Sequence, residues 1–92
     1  MRRKARVDEN QQEIVNALRQ VGCSVVSLAP IGDGCPDLLV GHRGRNLLLE
    51  VKDGAKPPSK RKLTPDEEEW IGNWRGQVAV VYEVDDALEL LR

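Results

Sequence analysis

The sequence predicts an α/β domain in which helices flank a mixed four-stranded sheet, in the order α-β-β-β-α-β-α. Three observations predict it. Apolar residues recur at helical spacing near the N-terminus and again between 65 and 74. Three short apolar runs follow one another between 23 and 52, the last two joined by a connection of hairpin length. A valine-rich run at 77–82 lies beyond the second helix, so a crossover brings it to the sheet.

Taken in order, Asp8 followed three residues later by Gln11 has the form of a capping box. Ile14, Ala17, Leu18 and Val21 then recur until Gly22, which predicts a helix over about 9–21. Cys23 to Leu28 holds Val25 and Val26 among small residues and reads as a first strand; Pro30 and the glycines of 31–34 make the turn after it. A second strand is expected over about 37–41 and a third over 47–52, joined by His42-Arg43-Gly44-Arg45-Asn46 and therefore antiparallel. Residues 53–62 carry Gly54, Pro57, Pro58 and four cations with almost no apolar content, an exposed loop. Thr64 as cap, Pro65 at the first helical position and Glu67 closing the box start a second helix over about 65–74, with Trp70, Ile71 and Trp74 on the face shared with Glu67. The fourth strand, at 77–82, and a short amphipathic helix at 86–91 complete the chain.

Ninety-two residues fit one domain, 1–92, with a basic tail at 1–7 and a basic loop at 53–62. This is near the size at which a partner subunit aids stability, and a homodimer is expected. No run approaches the ~18 apolar residues that span a membrane, so no membrane partner is expected. Met1-Arg2-Arg3-Lys4-Ala5-Arg6 is followed by no apolar stretch, so the expected location is the cytoplasm rather than a secretory route. Cys23 and Cys35 lack CxxC spacing and a nearby histidine cluster, which speaks against zinc or a disulfide and for two small buried thiols. The net charge of −1 hides an uneven division. Arg43 to Lys62 holds seven cations against two anions, whereas Leu63 to Arg92 holds eight anions against two cations. One part of the surface can therefore face phosphates while another faces water. With Trp70, Trp74, Tyr82 and no Phe, a stacking platform for single strands is not evident.

The chemistry concentrates between Pro36 and Lys52. An ionised group inside a buried apolar run survives only when paired, solvated or metal-bound, and Glu50 sits between Leu49 and Val51. Alternation sends Glu50, Lys52 and Leu48 to one face and Leu47, Leu49 and Val51 to the other. If the strand opening with Asp37 is the hairpin neighbour, a second carboxylate reaches the same wall. Two carboxylates with one lysine make a small divalent-metal site suited to phosphodiester hydrolysis. Lys56, Lys60, Arg61 and Lys62 follow directly as a candidate phosphate clamp. The plainer alternatives are a wet edge strand with a surface ion pair worth ~0–1 kcal/mol, a turn aspartate at 37, and a solvated helix face at Glu13. His42, Ser27, Asp33 and Gln77 have no spacing that assigns a role.

Pro36-Asp37, twelve residues, then Glu50-Val51-Lys52 in this element order resembles the PD-(D/E)XK nuclease superfamily. It is similar in particular to the VRR-NUC domain, the virus-type replication and repair nuclease, in the compact stand-alone form carried by phages. The likeness runs through Glu13, Gly34 to Gly41, Leu48 to Gly54, Leu63-Thr64-Pro65 and Trp74-Arg75-Gly76. It implies a restriction-endonuclease-like core and a Mg²⁺- or Mn²⁺-dependent DNA endonuclease acting on branched or flapped DNA, four-way junctions included. The host cytoplasm would be its location if phage-encoded. It further implies that Asp37, Glu50 and the Val51 carbonyl hold the metal, that Glu13 assists from the first helix and that Lys52 orients the attacking water. The family usually carries glutamine after Leu-Thr-Pro; Glu67 stands here instead and is a candidate site residue that departs from the pattern. The alternative function is a non-catalytic DNA-binding module that retains the fold.

Overall fold

The computed structural model describes residues 9–92; Asp8 and the basic tail lie outside them. Helix α1 spans Gln11–Gln20, and strands β1 (Ser24–Ser27), β2 (Leu38–His42) and β3 (Arg45–Val51) follow. Then come helix α2 (Pro65–Asn73), strand β4 (Val78–Val81) and helix α3 (Val84–Glu89). The sheet order is β1-β2-β3-β4; β1, β2 and β3 form an antiparallel meander, and β4 joins β3 in parallel. The described residues thus form a mixed α/β fold with a four-stranded mixed sheet and three α-helices.

Gln11, Ile14, Val15 and Leu18 are the buried stripe of α1, and Gly22, at φ +97°, ends it in the left-handed conformation that glycine adopts most readily. Asp8, the first member of the expected capping box, lies outside the described residues. Asn10 is the N-cap, its side chain makes no cap bond, and Gln11 is the first helical residue. Asn10 Nδ2 instead donates to the carbonyls of Lys52 (3.1 Å) and Tyr82 (2.8 Å), pinning the helix start to the ends of β3 and β4.

The connection between β2 and β3 is shorter than five residues. His42 pairs with Arg45, and the loop is Arg43-Gly44 with φ of +50° and +79°. Two central residues with positive φ are the mark of the type I′ turn, whose twist matches that of the strands. Arginine is an unusual first residue for it, which is why the sequence pattern understates the strands by a pair at the turn. Helix α3 begins at Val84 rather than 86, because Asp86 Oδ2 accepts the Tyr82 N–H (2.9 Å) and draws the first turn back. Within the loop of 53–62, Pro58–Lys60 forms a turn of 3-10 helix.

One face of the sheet is the core. Leu38, Val40, Leu49, Val51 and Val81 are no more than 1 % exposed and meet Ile14 and Leu18 of α1 and Ala87 of α3. Burying each large aliphatic side chain is worth about 1.5–3 kcal/mol, so this layer anchors the strands. Cys23 and Cys35 are free and buried, as expected. The opposite face differs. The registers line up Val26, Leu39, Leu48 and Val78 across all four strands, yet Val26 stays 53 % exposed and α2, which lies on this side, has no buried residue. Among the described residues no helix is long and apolar enough to cross a membrane.

Candidate active site

The wall next to that apolar row carries the charges. Continuing the Leu38 and Leu49 pairing by one step sets Asp37 across from Glu50, both on the face away from α1 and α3. The two side chains are within hydrogen-bonding reach of each other. Asp37 is 4 % exposed and Glu50 2 %. Asp37 is fixed twice: its carbonyl accepts the Leu28 N–H, and its Oδ2 accepts the Val51 N–H, each at 2.7 Å. Pro36, fully buried, precedes it. Because the N–H and C=O of a strand residue point to the same edge, the Val51 carbonyl faces that edge too.

Burial first, then the neighbouring charges of Asp37 and Glu67 and the Asp37 hydrogen bond, push Glu50 up to about 10, with Lys52 opposing only in part. At neutral pH, without a cation, Glu50 therefore keeps its proton. Its Oε1 is buried with no partner. Most buried side-chain oxygens find one, so this atom is an exception within the site.

Lys52 extends along the same wall. Its ammonium lies 3.7 Å from Glu50 Oε2 and 2.7 Å from Glu67 Oε1. Glu67 Oε1 also accepts the Thr64 N–H (2.8 Å), while Thr64 Oγ1 accepts the Glu67 N–H (3.2 Å), which is the reciprocal capping box read from the sequence. One glutamate thus starts α2 and holds the lysine. Burial works against its charge, but the Lys52 and Thr64 donors hold its carboxyl below the usual range. Burial, followed by the charges of Glu50 and Asp37, raises the Cys35 thiol.

Glu13 is exposed in the first turn of α1, whose buried stripe packs on the other face of the sheet. Among the described residues no group of three or more His, Cys, Asp or Glu side chains is disposed to hold a metal ion; the site is a pair of carboxylates with one lysine. The basic loop begins immediately after Lys52, and Gly54 N–H binds the Tyr82 carbonyl beyond the end of β4. Lys60 and Lys62 are exposed, Lys56 is half-buried, and Arg61 lies over the Tyr82 ring, 5.7 Å from its centre, in cation–π geometry. His42 lies at the far end of β2 from Asp37.

An aromatic feature goes beyond the sequence reading. Trp70 and Trp74 stack with centroids 4.7 Å apart and planes 21° apart. Trp70 lies in the last turns of α2 and Trp74 is its C-cap, and the spacing of four is the signal that predicts such contact. Comparison with family models, curated proteins and solved structures gives no match.

Proposed function

We propose that the chain is a metal-dependent endodeoxyribonuclease of PD-(D/E)XK design, similar to the VRR-NUC module, that hydrolyses a phosphodiester bond in branched DNA such as a flap or four-way junction. The observation that carries this reading is the buried Asp37 and Glu50 pair, with Glu50 Oε1 unpartnered, beside the Lys52 ammonium. Leaving a buried acceptor unsatisfied costs about 1–3 kcal/mol. A hard cation that takes both carboxylates as anions relieves that cost. The oxygen donors fit Mg²⁺ or Mn²⁺, which Asp37, Glu50 and the Val51 carbonyl would hold. When bound, such a cation lowers the pKa of a coordinated water and offsets charge on the phosphate.

The remaining steps belong to the chain. Lys52, held by Glu67, orients the attacking water and stabilises negative charge growing on the phosphoryl oxygens. Water oxygen bonds to phosphorus as the bridging P–O bond breaks, and no covalent enzyme intermediate is needed. Lys56, Lys60, Arg61 and Lys62 grip the flanking phosphates. A two-fold dimer would offer two such sites to the paired strands of a junction. The restriction-endonuclease-like core, the branched substrate and the dimer rest on the sequence resemblance.

The test is product mapping on labelled flap, splayed-arm, four-way and linear DNA with magnesium. Cleavage is expected with Mg²⁺, and none in EDTA or in Asp37→Asn. Cleavage that persists in Asp37→Asn would sink the assignment. The engagement of Lys52 by Glu67, where the family carries glutamine, favours a second reading, a DNA-binding module without catalysis. That module would bind in EDTA, lose affinity steeply with salt and cut nothing in magnesium.

A further inference from the structure

Next along β3 from the carboxylates is a groove of about 600 Å³ lined by Trp70 and Trp74, by Leu39 and Leu48 of the sheet, and by Asn46 and Gln77, whose Nε2 donates to the Asn46 carbonyl at 3.0 Å. No charged residue lines it. Leu48 is two residues before Glu50 on the same face, a step of about 6.7 Å along the strand, and Cys35, which feels both site carboxylates, is also in its wall. The groove therefore lies next to the carboxylates along β3. The cationic loop lies beyond the opposite end of the site, past the level of Tyr82. A nucleic-acid strand crossing Asp37 and Glu50 would meet ammonium and guanidinium groups on one side and an uncharged aromatic cleft with amides on the other.

We propose that this groove receives an unpaired nucleobase adjacent to the phosphate at the carboxylates, stacked on the tryptophans with its edge toward Asn46 and Gln77. The chemistry matches a base rather than a phosphate: a π-face to stack on, apolar walls, and amides that both donate and accept. Acidic Asp33, Asp66 and Glu69 line a separate cavity against the same tryptophans and repel the backbone from that side, directing the sugar-phosphate chain toward the basic loop. A base paired in a duplex cannot enter, so the groove favours DNA with a single-stranded segment at the cut. Only the position of the adjacent phosphate rests on the nuclease reading.

The chain has two tryptophans and both face the groove, so intrinsic fluorescence reports its occupancy. Titrating a short single-stranded deoxyoligonucleotide in EDTA is expected to quench that emission. The same backbone made of abasic sites is expected to bind the loop without quenching. Trp74→Ala, at a position already 46 % exposed, is expected to weaken oligonucleotide binding about tenfold, with Trp74→Phe recovering most of it. Equal quenching by the abasic strand, or unchanged affinity in Trp74→Ala, overturns the proposal. So does an emission shift that follows protein concentration without DNA, because a second copy of the chain then fills the groove. Cleavage plays no part in these readouts, so base stacking with no cleavage in magnesium would sink the nuclease reading alone, and cleavage without stacking would sink this one alone.

Discussion

The two faces of one sheet are built from alternate residues of the same strands and have opposite characters. Toward α1 and α3, Leu38, Leu49 and Val51 are sealed in a dry layer. Toward α2, their immediate neighbours are Asp37, Glu50 and Lys52, together with an apolar row left open at Val26. The first face fixes backbone positions, and the second uses that fixity to hold buried ionisable groups which would otherwise rearrange or take up water. A strand with a period of two can carry both because each residue answers to one environment only.

That contrast can be broken in graded steps. The largest effect is expected at the charged row: Lys52→Ala should lower magnesium-dependent cleavage about a hundred- to a thousandfold while circular dichroism shows the fold retained. On the dry face, Leu49→Ala should cost about 2–5 kcal/mol in denaturant unfolding. Val26→Ala, on the open face of the same sheet, should stay within about 0.5 kcal/mol. Equal costs for the two would mean that the open face is covered in solution.

Acidity sharpens the comparison further. Glu50 has a folded pKa of about 10 against an ordinary 4.5, so the folded chain binds more protons than the unfolded one between those values. Stability without metal should therefore fall as pH rises from about 4.5 toward 10, whereas Glu67, with its lowered pKa, loses its contribution only below its ordinary 4.5. Thermal melts in EDTA should show a more stable protein at pH 5 than at pH 9, and Glu50→Gln should flatten that slope. Magnesium at a hundredfold excess over its Kd should add about 2.7 kcal/mol. A smaller effect, about 1 kcal/mol, is expected for Thr64→Ala, which removes the cap of α2. Neutralising Lys60, Arg61 and Lys62 should lower the salt slope of DNA binding by ~0.9 for each phosphate that no longer meets a cation, and an unchanged slope would remove the loop from the interface.

Much of this is legible in the chain. The alternation around Glu50 tells which residues share a wall, and the Thr64-Pro65-Asp66-Glu67 start tells where α2 begins, because both depend on neighbours a few residues apart. The β2–β3 turn is blurred, since left-handed Arg43 carries no distinctive residue signal. The start of α1 escapes the local pattern because Asn10 answers to the carbonyls of Lys52 and Tyr82, far away in sequence. Glu13 looks equivalent to the other acidic positions; which side of the sheet its helix covers is something helical periodicity is silent on. The tie between Glu67 and Lys52 likewise spans a loop whose path no local pattern describes.

The proline before Asp37 has a chemical consequence for the strand opposite. The Leu38 and Leu49 pairing, carried two steps on, would match Pro36 with Val51, and an imino nitrogen has no hydrogen to offer the Val51 oxygen. Interstrand zipping therefore stops there, with the Asp37 side chain taking over the Val51 N–H. On that pairing the Val51 oxygen has no donor opposite it at position 36, and Pro36→Ala would supply an N–H there and let the ladder run two residues further.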